Sequence, residues 1–192
     1  MPTAPDGPTV ADTPGQDHLG PAVAAFDRWA DGLLDHLRGN PVADRVFTAA
    51  SELGDFSLIW HLLAAARGLG SRRSANDALV LAALIGAESL IVNQGIKRLF
   101  RRVRPTVAGD DRYEVRQPST SSFPSGHASA AAFAATLLAA RSTPLMRPVW
   151  YGIAAVVALS RAFVRIHHAS DVVAGLATGL VLAAAARRIV RW

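Results

Sequence analysis

A chain of 192 residues is long enough for one domain with a buried core. Apolar residues make up 51% of it and charged residues 18%, whereas an average soluble protein has about 25% charged residues. The formal net charge is +5, and the absence of cysteine excludes disulfides and thiolate metal sites.

Residues 1–20 are predicted to be a disordered N-terminal tail. They are rich in Pro, Gly, Asp and Thr. No basic stretch precedes an apolar one, so this segment is not a secretory signal peptide. Residues 21–192 are predicted to form a single membrane-embedded domain.

Residues 21–38 are predicted to form an amphipathic helix, because apolar residues recur at helical spacing and charged residues occupy the other side. The apolar set is Phe26, Trp29, Ala30, Leu33, Leu34 and Leu37. The helix carries too many charges to span a membrane. It is expected to lie in the membrane interface or to pack across the bundle.

Four later segments are apolar and, with their flanks, reach about 19–25 residues, enough to cross a bilayer. They lie around 42–66, 76–99, 148–166 and 169–190. A further helix is predicted from 126 or 127 to about 141, after an ordered, proline-containing loop. The predicted fold class is therefore all-α, an integral-membrane helical bundle with about five spanning helices plus the amphipathic helix. A soluble all-helical protein with very apolar core helices is the alternative.

The alternating direction of these helices brings distant parts of the chain to one face of the bundle. Four helix ends meet there: the end of the helix near Lys97, the start of the helix from 127, the end of the helix from 148 and the start of the last helix. The converging residues are Lys97, Arg104, Ser125, Gly126, His127, Arg161, His167 and Asp171. Cations, histidines and a carboxylate suit a transferring phosphoryl group, because its transfer depends on positioning and charge neutralisation.

The two histidines are predicted to have different roles. Asp171 follows His167 by four residues, so both can share one helix face, and the carboxylate can fix the imidazole tautomer. Asp171 has no such relation to His127. We therefore expect His167 to attack phosphorus and His127 to protonate the leaving oxygen.

Each of these features has a simpler explanation when taken alone. KRLFRRVRP is typical of a juxtamembrane basic stretch, and PSGH of a turn with a helix cap. His167 and His168 do not predict a metal site, because adjacent residues on a helix point apart and no further ligand cluster completes one. Glu88 is expected to pair within the bundle. Three polar residues of an early helix are assigned a structural role: Glu52, Asp55 and His61.

The motifs together resemble a known family. In chain order they are K-x6-RP from Lys97, PSGH ending at His127, and SR-x5-H-x3-D ending at Asp171. This ordered trio resembles the three-part motif of the phosphatidic acid phosphatase type 2 superfamily, which also includes vanadium haloperoxidases and bacterial acid phosphatases. The match spans residues 97–171 without a gap or substitution.

The resemblance implies a phosphatase that needs no metal or other cofactor. It implies a phosphohistidine at His167, with His127 as general acid and Asp171 orienting the nucleophile. The implied phosphate-binding residues are Lys97, Arg104, Ser125, Gly126 and Arg161. Membrane members usually have six spanning helices, whereas the first candidate helix here is amphipathic.

The leading hypothesis is a membrane phosphatase for a lipid phosphate or diphosphate. A polyprenyl carrier is favoured over phosphatidic acid or phosphatidylglycerol phosphate, on family precedent and on an Ala/Arg-rich, Lys-poor composition that suggests a high-GC bacterium. The alternatives are a phosphotransferase, a haloperoxidase and a non-catalytic phospholipid-binding or transport protein. The expected partners are the lipid phosphate and the bilayer, not nucleic acid, because the basic residues lack interleaved aromatics. The oligomeric state is not predicted.

The basic residues also predict an orientation. By the positive-inside rule, the arginines at the end opposite the site are cytoplasmic. They are Arg67, Arg72, Arg73, Arg141, Arg147, Arg187, Arg188 and Arg191. Basic residues crowd the other face too, but phosphate binding and nearby acidic residues account for part of that charge. The active site is therefore expected to face the extracytoplasmic side of the bacterial cytoplasmic membrane.

Overall fold

In this computed structural model, residues 15–106, 113, 115 and 118–190 are described. Within them the chain forms seven α-helices and no β-strand, which confirms the all-α prediction. The helices are α1 (Pro21–Asp35), α2 (Pro41–Leu53), α3 (Leu58–Gly68), α4 (Arg72–Leu90), α5 (Gly126–Ala140), α6 (Arg147–Phe163) and α7 (Ala169–Ile189).

Helix α5 lies at the centre of the bundle and packs along its length against α6 and α7. Nearly every side chain from Ala128 to Ala139 is buried. A helix that is apolar on all sides is expected in such a central position. The alanine-rich sequence keeps the helix narrow, so that its neighbours approach closely.

Two glycines set the distance between α5 and α7. A Cβ atom on Gly175 would lie 2.3 Å from the carbonyl oxygen of Ser125, and one on Gly179 would lie 2.1 Å from that of Ser129. Small residues spaced by four allow membrane helices to pack backbone against backbone. This contact holds the start of α5 beside the start of α7.

The predicted single helix over about 42–67 is wrong, because the structure breaks it into α2 and α3. Phe56 and Ser57, between the two helices, have φ of 52° and 59°, in the left-handed region. The break lies against α5, where a Cβ on Gly54 would be 2.6 Å from Cδ2 of His127, so only glycine fits at this position. Beside the break, Asp55 contacts His127 of α5.

Helix α4 changes its winding before it reaches the loop. It continues as a π-helical turn, Ile91–Gly95, and a 3-10 turn, Ile96–Leu99. π-helical turns inside α-helices are frequent at functional sites. Here the change of winding carries Lys97 into a buried position at the end of the bundle.

Helix α1 is amphipathic, as predicted, and it ends at Asp35. Its acidic residue Asp27 faces the protein. Asp27 is 3% exposed, whereas Trp29 is 62% exposed. Beyond the helix, Arg38 donates to the carbonyl oxygen of Phe163 at 2.9 Å. An outward apolar face on a helix attached by its charges is suited to a lipid interface.

Two helical segments are long and apolar enough to cross a membrane, as judged by length and composition: Arg72–Leu99 and Ala169–Ile189. Helix α5 is apolar but shorter. The count of about five spanning helices stays a prediction.

Residues 1–14 of the predicted disordered tail lie outside the described residues. At the end of this predicted tail, Gln16–Leu19 form a 3-10 turn and Gln16 is buried. The carbonyl oxygen of Gly15 accepts a hydrogen bond from Nε of Arg102 at 3.0 Å. This half-buried hydrogen bond connects the segment before α1 to the loop that carries Arg102.

The substitution G179A should destabilise the protein by about 1–3 kcal/mol, because the added methyl group would force α5 and α7 apart. Thermal unfolding of the detergent-solubilised protein measures the effect. The matched control is G152A in α6, where a Cβ would meet nothing within 4 Å. G152A should leave the unfolding temperature unchanged or raise it, and an equal loss in both variants would contradict the packing argument.

Candidate active site

A cavity of about 150 Å³ opens where α5 and α7 begin. Four of the residues predicted for the site line it: Lys97, Gly126, His127 and His167. Its other walls come from the break between α2 and α3 and from the end of α4. The predicted convergence of distant segments is therefore present in the structure.

The ring of His167 is held from both sides. Its Nδ1 lies 3.6 Å from Oδ2 of Asp171 and 3.3 Å from Oγ of Ser122. Its Nε2 lies 3.1 Å from Nη1 of Arg104, which can only donate. These partners favour a neutral ring with hydrogen on Nδ1 and a lone pair on Nε2. Burial lowers the pKa of His167 well below 6.5, although the hydrogen bond to Asp171 acts in the opposite direction.

Asp171 is the centre of a buried polar network. Its Oδ1 pairs with Nη1 of Arg102 at 2.6 Å. Its Oδ2 accepts hydrogen bonds from Oγ of Ser122 at 2.5 Å and from the backbone N–H of His168 at 2.9 Å. Arg102 also pairs with Asp27 of α1 at 2.7 Å. Two carboxylates therefore share one buried guanidinium, and every group in the network has a partner.

Sequence reasoning did not identify Arg102, Ser122 or Asp27. Arg102 stands beside Arg101 in a basic run, and nothing in the sequence distinguishes the buried arginine from the exposed one. Asp27 belongs to the charged side of α1, which could equally have faced water. Asp27 also accepts from the N–H of Ser170 at 2.7 Å, which fixes α1 to the first turn of α7.

The ring of His127 is oriented by Asp55, whose Oδ1 lies 2.9 Å from Nε2. This contact leaves Nδ1 as the nitrogen that can reach a bound group. The sequence analysis assigned Asp55 a structural role on a continuous helix. The structure places it in the site instead, because the break before α3 turns it inward. The sequence signal for the break is Gly54 followed by Asp55, because a glycine inside a helical pattern can mark the end of a helix.

Arg161 offers donors that the described residues do not use. Its guanidinium is buried, and Nη1 donates to the carbonyl oxygen of Ser51 at 3.1 Å and to Oγ of the same residue. Neither Nε nor Nη2 has a hydrogen-bond partner among the described residues. Buried donors without partners are rare in proteins, so these two are suited to an anionic ligand.

Arg104 is already fully engaged. Besides the ring of His167, its partners are the carbonyl oxygens of Pro118 (3.1 Å), Ile166 (2.9 Å), Thr120 (3.1 Å) and Ser121 (3.4 Å). Burial lowers the pKa of Arg104 to about 10, so it remains charged at neutral pH. A phosphate oxygen that reaches this guanidinium has to replace one of these acceptors.

Ser125 and Gly126 occupy different positions in the site. The Oγ of Ser125 accepts from the N–H of Ala128 at 3.4 Å and so caps α5, while its own N–H donates to the carbonyl oxygen of Asp171 at 2.9 Å. Gly126 lines the cavity, and a Cβ there would lie 3.0 Å from Oδ1 of Asn93. Ser125 thus connects the start of α5 to the start of α7, whereas Gly126 forms part of the cavity wall.

The neighbouring His168 points away from His167, with Nε2 3.3 Å from the carbonyl oxygen of Val103. Within the described part of the chain, no group of three histidine or acidic side chains is placed to hold a metal ion. Of the two adjacent histidines, His167 is the one that faces the cavity.

The family model of the PAP2 superfamily matches residues 77–192. The chain belongs to this superfamily. It is 34% identical over 169 residues to the decaprenylphosphoryl-5-phosphoribose phosphatase of Mycolicibacterium smegmatis, covering 86% of this chain and 84% of that one. It is 29% identical to phosphatidylglycerophosphatase B of Bacillus subtilis, covering 74% and 72%.

A solved structure has the same fold. The crystal structure of a transmembrane PAP2 type phosphatidylglycerolphosphate phosphatase from Bacillus subtilis aligns with a TM-score of 0.70 and 25% identity, covering 91% of this chain and 90% of that one. The protein is therefore a membrane lipid phosphatase of the PAP2 superfamily. The function and the family inferred from the three motifs are confirmed.

The substitution R102Q should destabilise the protein by about 3–5 kcal/mol, because it leaves two buried carboxylates without their cation. The matched control is R101Q at the adjacent exposed position, where a change within about 0.5 kcal/mol is expected. Thermal unfolding in detergent compares the two. Equal stability of both variants would show that the network around Asp171 is not needed for folding.

Proposed function

We propose that His167 is the nucleophile of this lipid phosphatase and that its substrate is a phosphate ester of a polyprenyl-carrier lipid. The observation that carries the mechanism is the arrangement of the His167 ring. Its Nδ1 is directed at Asp171, and its Nε2 is held at Arg104, beside the cavity. A neutral imidazole in this tautomer is ready to attack phosphorus.

In the first step, the lone pair on Nε2 of His167 forms a bond to phosphorus, and the bond from phosphorus to the ester oxygen breaks. His127 gives that oxygen the proton on Nδ1. Lys97 and the unpartnered donors of Arg161 neutralise charge on the other phosphate oxygens. Arg104 also neutralises charge on phosphate once a phosphate oxygen replaces Nε2 of His167 as the acceptor of its hydrogen bond.

In the second step, water hydrolyses the phosphohistidine. His127, now neutral, takes a proton from the water while the water oxygen bonds to phosphorus. The bond from phosphorus to Nε2 breaks, and inorganic phosphate leaves. His127 is again protonated, and His167 is again neutral, so the residues are ready for another cycle.

The polyprenyl substrate is supported by the comparisons. The relative from Mycolicibacterium smegmatis, whose name specifies a decaprenylphosphoryl-5-phosphoribose, has higher identity over a longer alignment than phosphatidylglycerophosphatase B does. All of these relatives are bacterial. We place the enzyme in the bacterial cytoplasmic membrane with its site on the extracytoplasmic side, because arginines cluster at the opposite end of the bundle.

Purified enzyme should release phosphate from polyprenyl-linked phosphates with a higher kcat/KM than from phosphatidic acid or phosphatidylglycerol phosphate. H167A should lower the rate by at least about 10³-fold, because it removes the attacking nitrogen. H168A is the matched control. Its rate should fall less than about tenfold, because that ring faces the carbonyl oxygen of Val103.

Each outcome of this assay has a distinct meaning. Activity that survives H167A would contradict the nucleophile assignment. Equal rates on every lipid would contradict the polyprenyl proposal. Transfer of the phosphoryl group to added glycerol, in place of free phosphate, would show a phosphotransferase.

The pH dependence of kcat/KM should show an acid limb below pH 6.5. Burial lowers the pKa of His167 well below 6.5, so the ring loses its attacking lone pair only in more acidic solution. Steady-state rates between about pH 4.5 and 8 test this, with unfolding monitored in parallel. A limb with its midpoint at 6.5 or above in kcat as well as in kcat/KM would show that the nucleophile titrates like an exposed histidine, because kcat does not report ionisation of the free substrate phosphate.

A further inference from the structure

Glu88 of α4 belongs to the wall of the active-site cavity and has one carboxyl oxygen without a partner among the described residues. Glu88 is 2% exposed, and its Oε1 accepts a hydrogen bond from Oγ of Ser129. Its Oε2 is buried and has no hydrogen-bond partner among the described residues. Glu88 lines the same cavity as His127 and His167. An unsatisfied buried acceptor is costly, so this oxygen is suited to a group that arrives with the substrate.

The group that meets Glu88 is not the phosphate. A carboxyl group brings no positive charge to a phosphate, and Lys97, Arg104 and Arg161 lie at the histidines, where phosphate is neutralised. A hydrocarbon chain cannot satisfy the oxygen either, because it has no donor. A hydroxyl group can, since it donates to a carboxylate and also accepts from a carboxylic acid.

Glu88 lies in the cavity that must also hold the leaving group. His127, the ring that protonates the leaving oxygen, lines this cavity from α5, and Glu88 lines it from α4. Whatever is attached to that oxygen therefore shares the cavity with Glu88. In a lipid phosphate, that is the alcohol released by the first step.

Two more polar side chains continue the same wall. Nδ2 of Asn93, in the π-helical turn, donates to Oγ of Ser89 at 3.0 Å, and both residues line the cavity. The cavity, at about 150 Å³, is roughly ten times the volume that one water molecule needs. A phosphoryl group alone would therefore leave space beside this wall.

We propose that Glu88, Ser89 and Asn93 form a subsite for a hydroxyl-bearing leaving group. The preferred substrate is then a phosphomonoester of a polyol, such as a sugar or glycerol carried by the lipid. A phosphate on a bare hydrocarbon alcohol would leave Oε2 unsatisfied, and the second phosphate of a diphosphate would find no positive charge at this carboxyl group. This inference rests on the proposed function, because it takes His127 as the acid that protonates the leaving oxygen.

The test compares two substrates that differ only in the hydroxyls. One is a short-chain prenylphosphoryl-5-phosphoribose, and the other is its 2,3-dideoxy analogue. Wild-type enzyme should favour the first by about 10–100-fold in kcat/KM, as expected for hydrogen bonds to a charged group. A wild-type ratio near one would overturn the proposal without any variant.

Variants then assign the preference to Glu88. In E88L the ratio should fall to about one, because the leucine side chain offers the sugar hydroxyls no acceptor. E88Q, which keeps the shape and a hydrogen-bonding amide, should retain part of the ratio. If E88L does not fold, E88Q and S89A decide, and an unchanged ratio in both would overturn the subsite. An unchanged ratio in folded E88L would do the same.

The controls separate this inference from the proposed function. H167A should abolish phosphate release from both substrates. If wild-type enzyme hydrolyses neither, the proposed substrate class fails. If it hydrolyses both equally through His167, only the subsite fails, and Glu88 is a structural residue bonded to Ser129.

Discussion

The active-site end of the bundle depends on the buried carboxylate of Asp171. A charge removed from water costs several kcal/mol unless partners replace its hydration. Here Arg102, Ser122, the ring of His167 and the backbone N–H of His168 replace it. These groups come from the loop before α5 and from the loop after α6. The carboxylate is therefore satisfied only when both loops are in place. The same assembly sets the tautomer of His167, the nucleophile that we propose, and folding and the proposed catalysis therefore share one requirement.

Much of the architecture could be predicted from local patterns. Apolar runs gave the later helices, and their alternating direction brought Lys97, His127 and His167 to one end without any knowledge of side-chain packing. The four-residue spacing from His167 to Asp171 was enough to assign the pair, because it corresponds to one turn of helix. The motifs were informative because each holds several residues at fixed spacing near a helix end.

The features that could not be predicted arise from packing between distant segments. The break at Phe56 and Ser57 lies where Gly54 meets His127, a contact between distant segments that the apolar periodicity of residues 42–66 does not contain. Asp55 was misassigned for that reason. Periodicity also predicted the two faces of α1 but not which one meets the protein. In a membrane protein an apolar face is stable against lipid as well as against the protein core.

The link from Asp27 to Arg102 has a consequence for how the domain is delimited. The family model begins at residue 77, well after α1. The physical unit is larger, because Arg102, the cation paired with Asp171, is itself held by Asp27 of α1. A truncated enzyme designed on the family boundaries would therefore retain every motif residue and lose one of the two carboxylates that fix Arg102. The span that the family model matches is therefore shorter than the span whose contacts hold the site residues in place.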